Sequence, residues 1–140
     1  MYEYRVENIR VIDGDTVDVD IDLGFGVWMK KQRIRIYNID TPESRTKDEV
    51  EKVFGLAAKN RLIELLSTDD EIIFRSVKDL RGKFGRILGD FVIYDLAGTC
   101  GEILCSEGHA VKYHGQNKED IRQEHENNRK KLLAEGRVVL

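Results

Sequence analysis

Residues 17–23 alternate strictly between apolar and acidic side chains. The apolar positions are Val17, Val19, Ile21 and Leu23, and the acidic positions are Asp18, Asp20 and Asp22. A period of two is typical of a β-strand with one face buried and the other in water. We therefore expect a half-buried strand whose three aspartates face solvent. A metal site built from these aspartates is the alternative, and it is disfavoured because no neighbouring residue completes a ligand cage.

Two further strands are expected beside this one. The segment Gly24-Phe25-Gly26 predicts a turn, and residues 27–36 predict a returning strand that carries several basic side chains. An irregular strand over residues 4–11 precedes them. The first third of the chain thus predicts a three-stranded meander. Phe25 and Trp28 lie near its turn and are expected to pack there, with contact to substrate as the alternative.

From residue 50 onward the apolar spacing becomes three and four, which predicts an amphipathic helix. Its apolar positions are Val50, Val53, Phe54, Ala57, Ala58, Leu62, Leu65 and Leu66. Thr46 and Glu49 predict a capping box at its start, and residues 67–70 are expected to end it.

The second half of the chain completes the predicted fold. Its elements are strands over residues 71–77 and 87–94 and helices over residues 99–107 and 118–135. Thr99 and Glu102 predict a capping box on the first of these helices, and Gly108 and Gly136 predict where the two helices end. No strand-helix-strand unit repeats, which favours a small closed barrel over a doubly wound sheet. We therefore predict an α+β fold, mainly β, in which a five-stranded barrel carries three α-helices.

Composition limits the kind of protein. The chain has 140 residues, of which 41% are hydrophobic, and this suits a single domain over residues 1–140. No stretch approaches the roughly 20 apolar residues that a membrane span needs, and no signal peptide is recognisable, so we expect a cytoplasmic protein. Cys100 and Cys105 lack histidines at metal spacing, which disfavours a zinc site. A net charge of −3 argues against coating DNA without regard to sequence, but it allows a local phosphate site.

Three charged motifs suggest a phosphate-ester site. They are Asp13-Gly14-Asp15-Thr16, residues 35–43, and Lys83-Phe84-Gly85-Arg86. Asp15 and Asp40 each lie at the edge of a predicted strand, where side chains can converge at one end of a barrel. Their hard carboxylate oxygens favour Ca²⁺ or Mg²⁺ over zinc. Pro42 restrains Thr41 towards an extended backbone, which can aim the Thr41 carbonyl at the same ion. The alternative for the first motif is an ordinary turn.

The basic residues and one acid supply the remaining chemistry. The guanidinium groups of Arg35 and Arg86 can hold phosphate oxygens in pairs and stabilise charge that accumulates on phosphorus. In the strand register, Arg35 is expected on the side of Arg33 and Lys31, and a surface role is its alternative. Glu43 lies three residues beyond a candidate metal ligand and is the natural general base for a water molecule. A surface acid in front of a helix is the alternative for Glu43.

Taken together, these motifs resemble the staphylococcal nuclease (thermonuclease) family. The matching pieces are residues 11–17, residues 35–43, Phe54-Gly55 and residues 83–86, with Glu102 and Gly108 at corresponding places later in the chain. The resemblance extends from Val11 to about Glu135. The combination of Asp-Gly-Asp-Thr, Arg-x4-Asp-Thr-Pro-Glu and Lys-aromatic-Gly-Arg is highly specific.

The resemblance implies an OB-fold barrel and Ca²⁺-dependent hydrolysis of phosphodiester bonds in DNA and RNA, leaving 3′-phosphate and 5′-hydroxyl ends. The implied calcium ligands are Asp15, Asp40 and the Thr41 carbonyl, the implied base is Glu43, and the implied phosphate clamps are Arg35 and Arg86. A monomer that prefers single-stranded substrates and does not act at membranes is expected.

Substrate binding is expected at Lys83, Phe84 and Tyr113. Phe84 stands where the family often has tyrosine, so a hydroxyl for the terminal phosphate is missing while ring stacking remains available. Tyr113 lies near the family's base-stacking tyrosines.

The competing interpretations are a non-catalytic OB-fold module for single strands and a structural protein that binds calcium for stability. The joint presence of three acids and two arginines in these motifs argues against both.

Overall fold

The barrel is closed by the pairing of strands that are distant in sequence. The computed structural model describes residues 2–81, 86–94 and 96–140. Its strands are β1 Glu3–Asp13, β2 Thr16–Gly24, β3 Val27–Ile36, β4 Ile39–Asp40, β5 Ile72–Arg81, β6 Ile87–Ile93 and β7 Val111–Lys112, and its helices are α1 Glu49–Leu66, α2 Cys100–Ser106 and α3 Lys118–Ala134. The order β1-β2-β3-β6-β5 forms a closed barrel, with β3 and β6 parallel and the other neighbours antiparallel. The predicted α+β fold, a five-stranded OB-type barrel with three helices, is confirmed. The two-stranded pair β4–β7 was not anticipated.

Strand β2 follows the predicted alternation except at Asp20 and at Leu23, which was predicted to be buried but is 41% exposed near the end of the strand. Val17, Val19 and Ile21 are buried, but Asp20 is buried as well, so its predicted solvent position is wrong. The Asp20 carboxylate accepts hydrogen bonds of 2.8 Å from Asn8 Nδ2 and from the backbone N–H of Lys31. Both donors lie at irregularities of their strands and have positive φ, where a bulge frees polar groups from the ladder. The Asn8 hydrogen bond is the largest cause that lowers the pKa of Asp20.

The turn between β2 and β3 does not bury both of its aromatic residues. The Phe25 side chain is fully exposed at a positive φ of 57°, so the packing predicted for it is wrong. Trp28 is half-buried, and the Lys30 ammonium lies 5.2 Å from its ring centroid. A hairpin tip has no second layer to cover it, whereas Trp28 lies further down the ladder.

Helix α1 begins with a different cap from the one predicted. The Asp48 side chain accepts hydrogen bonds from the backbone N–H groups of Val50 and Glu51, so the Thr46–Glu49 capping box is wrong. Thr46 Oγ1 instead accepts from the N–H of Asp48 at 3.2 Å. An aspartate at the N-cap also favours the positive end of the helix dipole. The Thr99–Glu102 capping box of α2 is confirmed.

Two apolar clusters hold the helices in place. The main one fills the barrel and extends under α1 and α2, with Ile34, Phe74, Phe91, Leu62 and Leu104 all 1% exposed or less. The second is small and joins α3 to α1 through Leu132, Val138 and Phe54. Burying a leucine of this kind contributes roughly 1.5–3 kcal/mol. This second cluster matters for function because it fixes where α3 lies.

Two negative findings complete the description. No helix in the described part of the chain is long and apolar enough to cross a membrane. Cys100 and Cys105 are free thiols on α2. Burial raises the pKa of Cys100 to about 12 and that of Cys105 to about 11, so neither thiol is ionised near neutral pH.

Candidate active site

A cleft of about 990 Å³ opens between one end of the barrel and helix α3. It is bordered by every predicted site residue that the structure describes, namely Asp15, Arg35, Asp40, Thr41, Glu43, Arg86 and Tyr113. Lys83 and Phe84 lie outside the described residues. Motifs that are far apart in sequence therefore meet at one place.

The strand register explains how the first two motifs converge. Thr16 at the start of β2 lies opposite Arg35 near the end of β3, and the Asp15 carbonyl accepts the N–H of Ile36 at 2.8 Å. Asp15 and Arg35 are thus placed at the same end of the barrel. Arg33 also borders the cleft and is held by Asp18. Lys31 does not border the cleft; it has a positive φ of 52° at an irregularity of β3.

Arg35 lies at the centre of the cleft's hydrogen-bond network. Its Nη2 donates to the Ile39 carbonyl at 2.8 Å and lies 3.4 Å from Asp15 Oδ2 and 4.0 Å from Asp40 Oδ1. Its Nη1 donates to the Ile36 carbonyl. The side chain is 19% exposed. Arg35 is therefore a partly buried organiser of the site, and the surface-strand alternative does not describe it.

Asp15 and Asp40 offer the donors of a hard cation site. Both carboxylates approach the same nitrogen of Arg35, so they lie near one another in the cleft. The Thr41 hydroxyl is buried and has no hydrogen-bond partner among the residues that the structure describes, and a Cβ at Gly14 would lie only 3.1 Å from it. Oxygen donors with no sulfur ligand suit Ca²⁺ or Mg²⁺. No group of three His, Cys, Asp or Glu close enough to share an ion is found among the described residues. The donor chemistry thus fits a hard cation that is held by two carboxylates and completed by other oxygens.

His125 of α3 completes the surroundings of Asp40. Its Nε2 lies 2.8 Å from Asp40 Oδ2, and its side chain is 15% exposed. This contact joins the helix to the barrel end across a separation of 85 residues. Carboxylates that bind metals are commonly oriented by such second hydrogen bonds. The sequence analysis did not identify His125.

Glu43 projects from a loop that rests on helix α1. Its side chain is exposed, and its backbone N–H donates to Glu51 Oε2 at 3.1 Å. Gly55 of α1 lets this loop approach closely, because a Cβ at residue 55 would lie 2.2 Å from the Glu43 carbonyl oxygen. Contact of that kind is sterically impossible for any other residue without a shift of the backbone. Gly55 thus allows α1 to hold the loop that carries Glu43.

Arg86 and Tyr113 border the cleft from the remaining sides. Arg86 is half-buried and immediately precedes β6. Tyr113 follows β7, is 45% exposed, and donates its backbone N–H to the Asn38 carbonyl at 2.8 Å. Its ring is accessible for stacking.

Several charged residues of the cleft were missed because they lie on α3. The α3 residues that border the cleft are Lys118, Ile121, Arg122, His125, Glu126 and Arg129. Their spacing of three and four places them on one helical face. The Arg129 guanidinium carbon lies 5.3 Å from the Phe54 ring centroid, which ties this face to α1. The spacing is visible in the sequence, but only the tertiary fold reveals what the face adjoins.

Comparison with known proteins assigns the chain to a family. The family model described as "Staphylococcal nuclease homologue" matches residues 33–136. The chain belongs to the staphylococcal nuclease family. The matched range includes Arg35, Asp40, Glu43 and Arg86 of the cleft and begins after Asp15.

Three curated relatives are similar in sequence to this chain. The chain is 30% identical over 129 residues to "Endonuclease YhcR" of Bacillus subtilis (strain 168), covering 86% of this chain and 10% of that protein. It is 32% identical over 92 residues to "Micrococcal nuclease" of Shigella flexneri, covering 66% and 43%. It is 32% identical over 87 residues to "Protein ParB" of Escherichia coli, covering 62% and 41%. The chain therefore spans a tenth of the first relative and about two fifths of the other two.

Proposed function

We propose that this chain is a Ca²⁺-dependent nuclease that hydrolyses phosphodiester bonds of DNA or RNA and leaves 3′-phosphate and 5′-hydroxyl ends. The observation that carries the proposal is the meeting of Arg35, Asp15, Asp40, Glu43 and Arg86 around one cleft. A module that only binds strands has no need for acids beside its arginines. Membership of the staphylococcal nuclease family supports the same activity.

In this proposal, the Asp15 and Asp40 carboxylates and the Thr41 carbonyl would hold the calcium ion. When bound, Ca²⁺ supplies positive charge that draws in a phosphate oxygen and offsets the charge of the transition state. The two carboxylates already lie near the same atom, Arg35 Nη2. His125 keeps Asp40 oriented through its 2.8 Å contact.

Arg35 and Arg86 hold the scissile phosphate. Each planar guanidinium can donate two hydrogen bonds to phosphate oxygens, which a lysine cannot reproduce. Negative charge rises on those oxygens as phosphorus becomes five-coordinate, and these hydrogen bonds strengthen with it. Arg35 is well prepared for this role because two backbone carbonyls fix its position.

Glu43 accepts the proton of the attacking water. The water oxygen forms a bond to phosphorus while the bond from phosphorus to the 5′ oxygen breaks. The leaving oxygen takes up a proton from solvent to become a 5′-hydroxyl, and Glu43 later releases its proton to solvent. The other product keeps the phosphate on its 3′ oxygen. Glu43 is exposed at the cleft, so a water molecule can reach it.

Lys83, Phe84 and Tyr113 bind the rest of the substrate in this proposal, with Tyr113 stacking on a base. The single domain over residues 1–140, the monomeric state, the cytoplasmic location and the preference for single strands stay predictions. Each is independent of the chemistry in the cleft.

End-labelled single-stranded DNA tests the proposal directly. The intact protein should cleave it with Ca²⁺, stop when a chelator is added, and yield products with 3′-phosphate ends. Glu43→Gln should lower kcat by about 10²- to 10⁴-fold with little change in substrate affinity. Glu49→Gln is the matched control, because Glu49 is an exposed acid in the first turn of α1 that does not border the cleft.

Two results would contradict the proposal in different ways. Binding without cleavage by the intact protein would indicate an OB-fold module for single strands. Normal turnover by Glu43→Gln would remove Glu43 from the mechanism while leaving the nuclease activity in place.

A further inference from the structure

A second hollow, of about 440 Å³, lies on the far side of Tyr113 from the cleft. We name it the α2 hollow, because residues of α2, β4, β5, β6 and β7 border it. Tyr113 borders both the cleft and the α2 hollow. The volume of the α2 hollow lies in the range of small-molecule sites.

The β4–β7 pair separates the two concavities. Ile39 lies opposite Lys112, and Asp40 lies opposite Val111. Because neighbouring residues of a strand point to opposite faces, Asp40 and Lys112 point to opposite sides of the pair. Asp40 borders the cleft, and Lys112 borders the α2 hollow. A single strand of nucleic acid that leaves the cleft over Tyr113 therefore reaches the α2 hollow next.

The side chains at the rim of the α2 hollow suit a flat aromatic ligand. Tyr37 is 40% exposed and Tyr113 is 45% exposed, and the exposed ring of His114 also borders the space. Half-exposed tyrosines offer stacking surface that costs little conformational entropy. Every nucleobase has a face that stacks on such rings.

The charges of the α2 hollow favour a base over a phosphate. Asp90 accepts the N–H groups of Gly101 at 3.0 Å and Phe91 at 2.8 Å, and Glu102 accepts the N–H of Thr99 at 2.9 Å. Both acids are thus committed to holding α2. Lys112 is close enough to Glu102 to contribute to lowering its pKa, after the larger effect of the hydrogen bonds with Thr99. Asp90 and Glu102 offset the two cations that border the hollow, Lys112 and Arg75, and Arg75 is also paired with Glu3, so the space is not a basic phosphate pocket.

We propose that the α2 hollow binds the unpaired base of a nucleotide next to the one that is cleaved. Single-stranded nucleic acid is then held at two successive sites on either side of Tyr113. A base must leave its duplex to enter, so this site selects single strands. The inference rests on the proposed nuclease function and names the strandedness of its substrate.

Substrate length separates this inference from the nuclease proposal. The probes are 5′-labelled oligothymidylates of two and eight nucleotides, assayed for kcat/KM with Ca²⁺. Anisotropy of the same labelled strands with chelator measures binding without cleavage. Tyr37→Ala and Lys112→Ala are the test variants, since both side chains are accessible on the rim. Tyr94→Ala is the matched control, because Tyr94 is 74% exposed and borders neither concavity.

The intact protein should favour the longer strand in both assays. Tyr37→Ala should lower kcat/KM and affinity for the eight-nucleotide strand by about 10-fold, the scale of one lost base stack, and leave the dinucleotide unchanged. Lys112→Ala should give a smaller loss in the same direction. Equal effects on both lengths, or no effect of either variant, would overturn the α2 hollow as a base site while cleavage continued. Strand binding that depends on Tyr37 without any cleavage would support the α2 hollow and overturn the nuclease.

Discussion

The two walls of the cleft are built in different ways. The barrel wall carries Asp15, Arg35 and Asp40 on strands and on a turn whose register fixes them. The α3 wall carries His125 and Arg129 on a helix that reaches the barrel through the small Leu132 cluster and the His125 contact. The barrel wall therefore resembles a rigid template, and the α3 wall resembles a lid fixed at a few points. Residues of the first kind should govern the chemistry, and residues of the second should tune it.

The barrel wall should respond most strongly to loss of the guanidinium at its centre. Arg35→Lys keeps the charge but cannot satisfy two carbonyls and two carboxylates at once, so we expect kcat/KM to fall by about 10²- to 10³-fold. Steady-state kinetics on single-stranded DNA measures this. Arg33→Lys is the control, because Arg33 borders the same cleft but is paired with Asp18. Equal losses in the two variants would mean that position in the network is unimportant.

The close approach of Gly55 to the Glu43 loop should rank second. In Gly55→Ala the new Cβ must displace the Glu43 carbonyl, and a shift of about 1 Å in a catalytic group can cost on the order of 10²-fold in rate. The same overpacking should cost roughly 1–3 kcal/mol of unfolding free energy. Kinetics and urea unfolding test both effects.

Leu56→Ala serves as the control for this substitution, because its side chain is partly exposed on the next residue of α1. A Gly55→Ala protein with normal kinetics would show that the loop tolerates the shift and that Glu43 is not held by α1.

The α3 wall should show its effect in ion binding before it shows one in stability. His125→Leu removes the partner of Asp40, and we expect Ca²⁺ affinity to fall by about 10-fold, as for other lost supports of metal ligands. Calorimetric titration of the substrate-free protein with Ca²⁺ measures this. His125→Gln, whose amide can donate from nearly the same position, should recover most of the affinity. If leucine and glutamine behave alike, the contact only docks the helix.

The Arg61–Glu107 ion pair lies outside both walls, and its loss should have the smallest effect, on stability alone. Arg61 Nε and Nη2 donate to Glu107 at 2.7 and 3.0 Å, joining α1 to the end of α2. This hydrogen bonding is the main cause that lowers the pKa of Glu107 from its usual 4.5. The stabilisation is therefore present above about pH 4.5 and is lost as the pH falls through the lower pKa of the folded state.

Glu107→Gln should cost about 1 kcal/mol near pH 7, because the pair is partly exposed, and should flatten the acid limb of stability against pH. Urea unfolding between pH 3 and about pH 7 measures this. Nuclease activity should not change. An unchanged acid limb would place the acid sensitivity of the fold elsewhere.

The same contrast explains how much the sequence could predict. The barrel strands and both arginines of the motifs lie in local patterns whose period and turns are readable over ten residues, as β2 and the Arg35 stretch illustrate. The alternation predicted Asp20 wrongly because two bulges leave polar donors that need an acceptor, the Asn8 amide and the Lys31 backbone N–H. Local periodicity does not reveal such bulges. His125 could not be assigned because nothing in α3 records which residue 85 positions away it will meet. The β4–β7 pair is two residues long on each side, too short to give any pattern.

Arg35 also offsets part of the negative charge of Asp15 and Asp40 in the resting site. Its guanidinium now serves both carboxylates, which a bound cation would claim for itself. A phosphate, in turn, would claim the guanidinium. Bound Ca²⁺ therefore frees the Arg35 guanidinium for phosphate, and bound phosphate frees the two carboxylates for Ca²⁺. Thermodynamic linkage makes this effect on the two affinities reciprocal. We expect Ca²⁺ to tighten the binding of a nucleotide monophosphate by the same factor by which the nucleotide tightens the binding of Ca²⁺. The ion and the substrate would then bind this cleft cooperatively.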